Sequence, residues 1–128
     1  MGFMKPFESH TYALVRIVTG FLFLWHGSQK LFGFPPSGTA GGTLPFHIHW
    51  IAGPIEFIGG ALVMIGLLTR PAAFLCSGLM AVAYWMAHAP QGLWPVLNHG
   101  DLAIVFCFVF LYISAKGAGI WSVDGAGG

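Results

Sequence analysis

The residues of this chain able to do chemistry form a small set. His26, Gln29 and Lys30 lie near the end of the first long apolar run, LVRIVTGFLFLWHGSQKLFGF. Glu56 lies inside the second run, His88 near the end of the third, and Asn98, His99 and Asp101 at the start of the fourth. Charges in hydrocarbon are costly and are kept where they meet a partner or line a site. His26 and His88 exchange protons near neutral pH, so with Lys30, Glu56 and Asp101 they form a candidate catalytic set. Phe23, Tyr84 and Trp85, with Gln29 and Asn98, would complete a mostly apolar pocket. Such a site suits a quinone head group, whose oxygens need hydrogen-bond donors and, on reduction, protons. In that reading Lys30 and Glu56 set the charge of the site and His26 donates to a quinone oxygen, while Asp101 and His88 relay protons outward. Another small aromatic molecule or a lipid head group would meet the same groups. The charges would also serve as an ion network that only fixes helix packing.

A haem or metal site is a third reading. His26 and His88 fall on different helices at similar depth, as two axial imidazoles require, and His99, with His47 and His49, would add ligands at the mouth. No helix carries the H-x-x-x-H or E-x-x-H spacing that makes such a site specific. Cys76 and Cys107 make no C-x-x-C pair. Counted along their helices they differ in depth by roughly 9 Å, too far for an easy disulfide, which counts against dithiol redox chemistry. Nucleotide-binding glycine patterns, a nucleophile elbow and zinc signatures are absent. Electrons would come from a quinone, a haem or a partner.

The elements that must position these residues follow from composition. The chain has 128 residues, 56% hydrophobic and 7% charged, far too little charge for the surface of a soluble globule. A net charge of +1 with no basic run gives no footprint for nucleic acid. The expected partners are the lipid bilayer, a membrane or redox protein, and an apolar small molecule. Four apolar windows, near 12–33, 49–68, 72–90 and 99–117, approach the roughly 20 residues a membrane-spanning helix needs. The expectation is an all-α fold, a transmembrane four-helix bundle running up-down-up-down in one domain over 1–128. The first run is longer than a signal-peptide core and has no small-x-small cleavage site, so it reads as an uncleaved span.

Lys5, Arg16, Arg70 and Lys116 fall toward one side of that arrangement and Lys30 toward the other, which predicts both termini in the cytoplasm. Arg16 reads as an anchor snorkelling to the inner head groups. Pro35 and Pro36 are expected to end the first helix, and Gly117 and Gly119 the last. Trp25, Trp50, Trp85 and Trp94 read as an interfacial belt. Helical spacing lines up Arg16, Gly20, Phe23, Gly27 and Lys30 on the first helix, and Gly53, Glu56, Gly59, Gly60 and Val63 on the second. Small residues let membrane helices approach closely, so Glu56 is expected to point inward. Ser77, Ala81, Tyr84 and His88 on the third helix, and Asn98, Asp101, Val105, Phe108 and Tyr112 on the fourth, follow the same spacing.

Several of these pieces occur together in one family. Arg16, Gly20, His26-Gly27, Gln29-Lys30-Leu31-Phe32-Gly33, then Glu56, Gly59 and Gly60, are followed by GLLTRPAA at 66–73, MAVAYWMAHAP at 80–90, WPVLNHGDLAI at 94–104 and a closing GAGIWSVD. In order and spacing the chain resembles the DoxX family of small four-helix membrane proteins, over nearly all its length. Family members usually carry Gly and Glu where this chain has His99 and Asp101, so the carboxylate is kept one methylene shorter. The resemblance implies a bacterial inner-membrane, multi-pass protein. It also implies a link to quinol oxidation and thiosulfate:quinone oxidoreduction, or to oxidative and aromatic-compound stress. The readings carried forward are a quinone-linked oxidoreductase subunit, a non-catalytic membrane partner or scaffold, and a haem- or metal-binding protein.

Overall fold

A computed structural model describes residues 2–34, 48–98 and 100–126, with backbone alone at 48, 49 and 126. Every element among them is helical. A 3-10 turn, Gly2–Phe7, leads into α1, Glu8–Phe32. A π-helical turn, Ile48–Ala52, leads into α2, Gly53–Ile65. Next comes α3, Thr69–Ala83, prolonged by a π turn over Tyr84–His88 and a 3-10 turn over Ala89–Gln91. The short α4, Pro95–Asn98, precedes α5, Asp101–Lys116, and α6, Val123–Ala126.

The glycine stripes bring α1 and α2 into backbone contact. A Cβ on Gly20 would stand 2.6 Å from the Gly60 carbonyl oxygen, and one on Gly60 2.8 Å from the Leu24 nitrogen. Gly27 lies against the backbone of Phe57, so no larger residue fits without separating the helices. Helix α2 meets α3 where Gly59 faces the Cys76 thiol, and Ser77 ties α3 to α5 by donating to the Cys107 carbonyl at 2.7 Å. Phe23 closes the centre, 5.1 Å from the Phe106 ring and 4.7 Å from the Phe110 ring. Both cysteines are free thiols.

One helix among the described residues, Thr69–Gln91, is long and apolar enough to cross a bilayer. The other expected spans fall short for physical reasons. α1 has the length but carries Glu8, Arg16 and Lys30. The apolar stretch Trp50–Ile65 stops at Gly66, whose φ of 75° turns the chain. α5 has 16 residues, or about 24 Å at the usual rise.

Other expectations need correction. α1 ends at Gly33, in the left-handed region with φ 69°, before Pro35 and Pro36, which lie outside the described residues. On α5 the buried face is Ala103, Phe106, Phe110 and Ile113, while Asp101, Val105, Phe108 and Tyr112 are exposed. That helix is apolar all round, so periodicity could not tell its faces apart. α5 does end where expected, at Gly117.

Arg16 does not snorkel; its exposure is 0%. Its Nε donates to the Val63 carbonyl at 3.1 Å, Nη1 to those of Ala118 and Ile120 (2.9 Å to the latter), and Nη2 to that of Trp121 at 2.6 Å. The guanidinium thus pins the segment after α5 against the end of α2. Asp124 completes this latch: its carboxylate accepts from the Leu68 and Thr69 amides at 3.0 and 2.9 Å and caps α3. Its own N–H donates to the Gly66 carbonyl at 2.8 Å. Those amides, that of Thr69 foremost, hold the Asp124 carboxyl below its ordinary range. Arg70 donates to the last carbonyls of α5, at 2.5 Å for Ala115. Tyr12 donates to the Gly117 carbonyl at 2.5 Å. His10 meets Trp121 edge-on, with ring centroids 5.2 Å apart.

Candidate functional site

At the opposite end the helices part around a cavity of about 600 Å³, bounded by α1, α2, α3 and α5. Because Gly27 holds α1 against α2, Lys30, one turn further on, meets Glu56. Its Nζ donates to Oε1 at 2.8 Å and lies 2.6 Å from Oε2. The Glu56 side chain is 3% exposed and that of Lys30 27%, so the ammonium is the accessible half of the pair. Both carboxylate oxygens therefore lie against the Lys30 ammonium, Oε2 in the closer contact.

His26 lines the same wall, half-buried, with its ring 5.9 Å from Phe106. His88 faces the cavity from the far side, on the π turn that ends α3. Its Nδ1–H donates to the Asn98 carbonyl at 3.2 Å, which leaves Nε2 for a ligand or a proton. Asn98 acts behind the wall. Fully buried, it donates to the Gly92 carbonyl at 3.0 Å and the Tyr84 hydroxyl at 3.3 Å, and accepts from the Gly100 amide at 2.9 Å. Tyr84 stacks on His88, with ring centroids 6.4 Å apart. Asn98 and Tyr84 therefore fix the imidazole from behind.

Of the residues singled out from the sequence, Phe23, His26, Lys30, Glu56 and His88 line the cavity together. Tyr84 and Asn98 support it, Gln29 is half-buried outside it, and Trp85 and Asp101 are exposed away from it. His99 and His47 lie outside the described residues, as does the side chain of His49. Among the described residues no three of His, Cys, Asp and Glu stand close enough to hold a metal ion. The apolar lining went unread: Ile51 from the turn before α2, Leu79, Met80, Val82, Ala83 and Met86 from α3, and Leu102 and Ala103 from α5. Helical spacing in α3 was the available signal, masked by the apolar character of the whole segment.

Residues 11–89, which hold α1 to α3 and all of the polar wall, match the DoxX family. The chain belongs to the DoxX family. Among its relatives is an uncharacterized protein of Haemophilus influenzae, 38% identical across 97% of this chain and 96% of that protein. A Bacillus subtilis relative, "Putative oxidoreductase CatD", is 40% identical across 52% of this chain and 50% of its own. "Inner membrane protein YqjF" of Escherichia coli is 28% identical across 94% of this chain and 95% of its own. No solved structure gives a significant match to this DoxX chain.

Proposed function

We propose that this DoxX protein is a multi-pass inner-membrane four-helix bundle that binds a quinone head group in the cavity and serves as a quinone-linked oxidoreductase subunit. The observation that carries this reading is one apolar cavity walled by His26, Lys30, Glu56 and His88. Its volume of about 600 Å³ lies in the range of small-molecule sites. The bilayer-length helix Thr69–Gln91 and the names of the two relatives support the membrane and redox parts. With Arg16 buried, orientation rests on Lys5, Arg70 and Lys116, which favour both termini on the cytoplasmic side.

A bound quinone supplies the redox couple that none of the side chains provides. Lys30 donates to a head-group oxygen while Glu56 holds its ammonium in place. His26 adds a second donor on the same wall. His88, fixed by Asn98, holds or releases a proton at Nε2, and with Asp101 exposed away from the cavity the relay ends at this imidazole. Quinone co-purifying well above its bulk-lipid level, and lost in Lys30→Met, is the expected result. A bulk-level quinone content, with His26→Ala leaving electron transfer in cells unchanged, overturns it. A Soret band from the purified protein would replace quinone by haem, with His26 and His88 as the ligands.

The ion pair also favours a second reading, because it bridges α1 and α2 and would serve packing alone in a non-catalytic membrane partner or scaffold. There the double variant Lys30→Met/Glu56→Gln keeps fold and partner binding.

A further inference from the structure

The cavity is not sealed on all sides. Toward α5 the wall is closed at Phe106, set against both Phe23 and His26, while Leu102, also a lining residue, is 50% exposed. Toward the Arg16 end it stops where Gly59 meets Cys76. Between the start of α2 and the second half of α3, the lining residues are themselves surface residues: Ile51 is 51% exposed, Val82 53% and Met86 60%. All three are apolar, and two of them stand on the helix that is long and apolar enough to cross a bilayer. An opening on that flank leads into hydrocarbon. The same cavity is lined by the buried Glu56 carboxylate, paired with Lys30.

We propose that the cavity opens sideways into the bilayer through Ile51, Val82 and Met86, and that its ligand is a chain-bearing membrane amphiphile. The head group lies against Lys30 and Glu56, and the chain leaves between α2 and α3. This inference rests on the quinone-site reading and adds the route of access and the need for a chain. Hydrocarbon and apolar side chains are equivalent surroundings for a methylene chain, so the portal adds little affinity of its own. What it supplies is a gap, and filling the gap is the test.

The protein is placed in lipid nanodiscs, with protein-free discs as the reference for partition. Two probes are compared, a benzoquinone bearing a decyl chain and its chainless parent. In Val82→Trp/Met86→Trp the indoles occupy the gap, and binding of the decyl compound falls about tenfold, the size of an ordinary overpacking effect. The chainless compound binds as in the wild type. A photoreactive group at the chain end labels peptides containing Ile51, Val82 or Met86. If the variant binds both probes as the wild type does, or the label lands on other helices, the portal is overturned while the head-group site stands. If neither probe binds the wild type, the quinone site falls and the portal with it. Should the double variant lose both probes, Val82→Phe and Met86→Phe must each discriminate between them, and their failure to do so overturns the portal.

Discussion

The two ends of the bundle hold buried charge in opposite ways. At one end Arg16 is surrounded by the carbonyls of Val63, Ala118, Ile120 and Trp121, all backbone groups of elements that must be joined. Four of its five N–H donors are placed on backbone carbonyls, and the Asp124 carboxylate caps α3 beside it. At the other end Lys30 and Glu56 pair with each other and face a cavity, with the ammonium the accessible half. A buried cation whose donors are taken by backbone is a fastener. A buried pair whose cation is accessible beside an apolar space is a candidate to meet a ligand. On the proposed reading the difference separates residues that hold the fold from residues that act, although both kinds carry charge inside apolar helices.

The comparison breaks most visibly at Arg16. Arg16→Met strands several carbonyls without donors and is expected to cost at least about 3 kcal/mol, the value of two hydrogen bonds to a charged group. Thermal unfolding in detergent should show a large fall in Tm, with the segment after α5 released to protease and no selective loss of ligand binding in the protein that remains folded. Unchanged protection of that segment would remove the fastener role.

Gly27→Ala tests how the cavity end is positioned. Its Cβ would overlap the Phe57 backbone, so α1 and α2 must separate at a cost of about 2 kcal/mol. The Lys30–Glu56 pair should lengthen and quinone binding weaken more than the stability loss explains. Equal binding at temperatures where both proteins are folded would show that helix spacing does not set the site.

Lys30→Met, Glu56→Gln and the double variant form a thermodynamic cycle. Each single change should cost about 1–2 kcal/mol, less than for a sealed pair because the Lys30 ammonium reaches solvent. The double variant should recover part of that stability while binding no ligand. A double variant that is the least stable of the three and still binds would reverse the assignment of the two ends.

Asp124 gives the smallest effect and the one set by pH. Its folded carboxyl titrates below its unfolded value, so its contribution is fully present above the unfolded value and is lost as pH falls through the folded one. Hydrogen exchange at the Leu68 and Thr69 amides should therefore stay slow through neutral and mildly acid pH and quicken only below the usual carboxylate range. Asp124→Asn should remove that dependence.

Much of this was legible in the residues themselves. The glycine stripes on α1 and α2 have helical spacing, and they pointed Glu56 inward. His26 and His88 were read as cavity residues because a titrating side chain in an apolar helix stands out against its neighbours. Asp101 was grouped with them on the same ground and Trp85 as part of the apolar wall, yet both lie exposed, since α5 and the end of α3 are apolar on every side and no pattern marks the inward face. Arg16 was misread for a related reason: a guanidinium near a helix end can reach lipid head groups or a backbone pocket. Three of the four carbonyls that make the pocket lie more than 100 positions away in the chain.

The sequence by itself determined the helical class, the family, the close approach of α1 to α2 and the polar groups available to a site, because these depend on composition and on spacing within one helix. The tertiary structure alone decided which end is latched, which faces of α3 and α5 line the cavity, and that its rim of Ile51, Val82 and Met86 lies open on the flank. Those features depend on how uniformly apolar helices rotate against one another. That rotation is set by packing between distant residues and leaves no periodic signal in the chain.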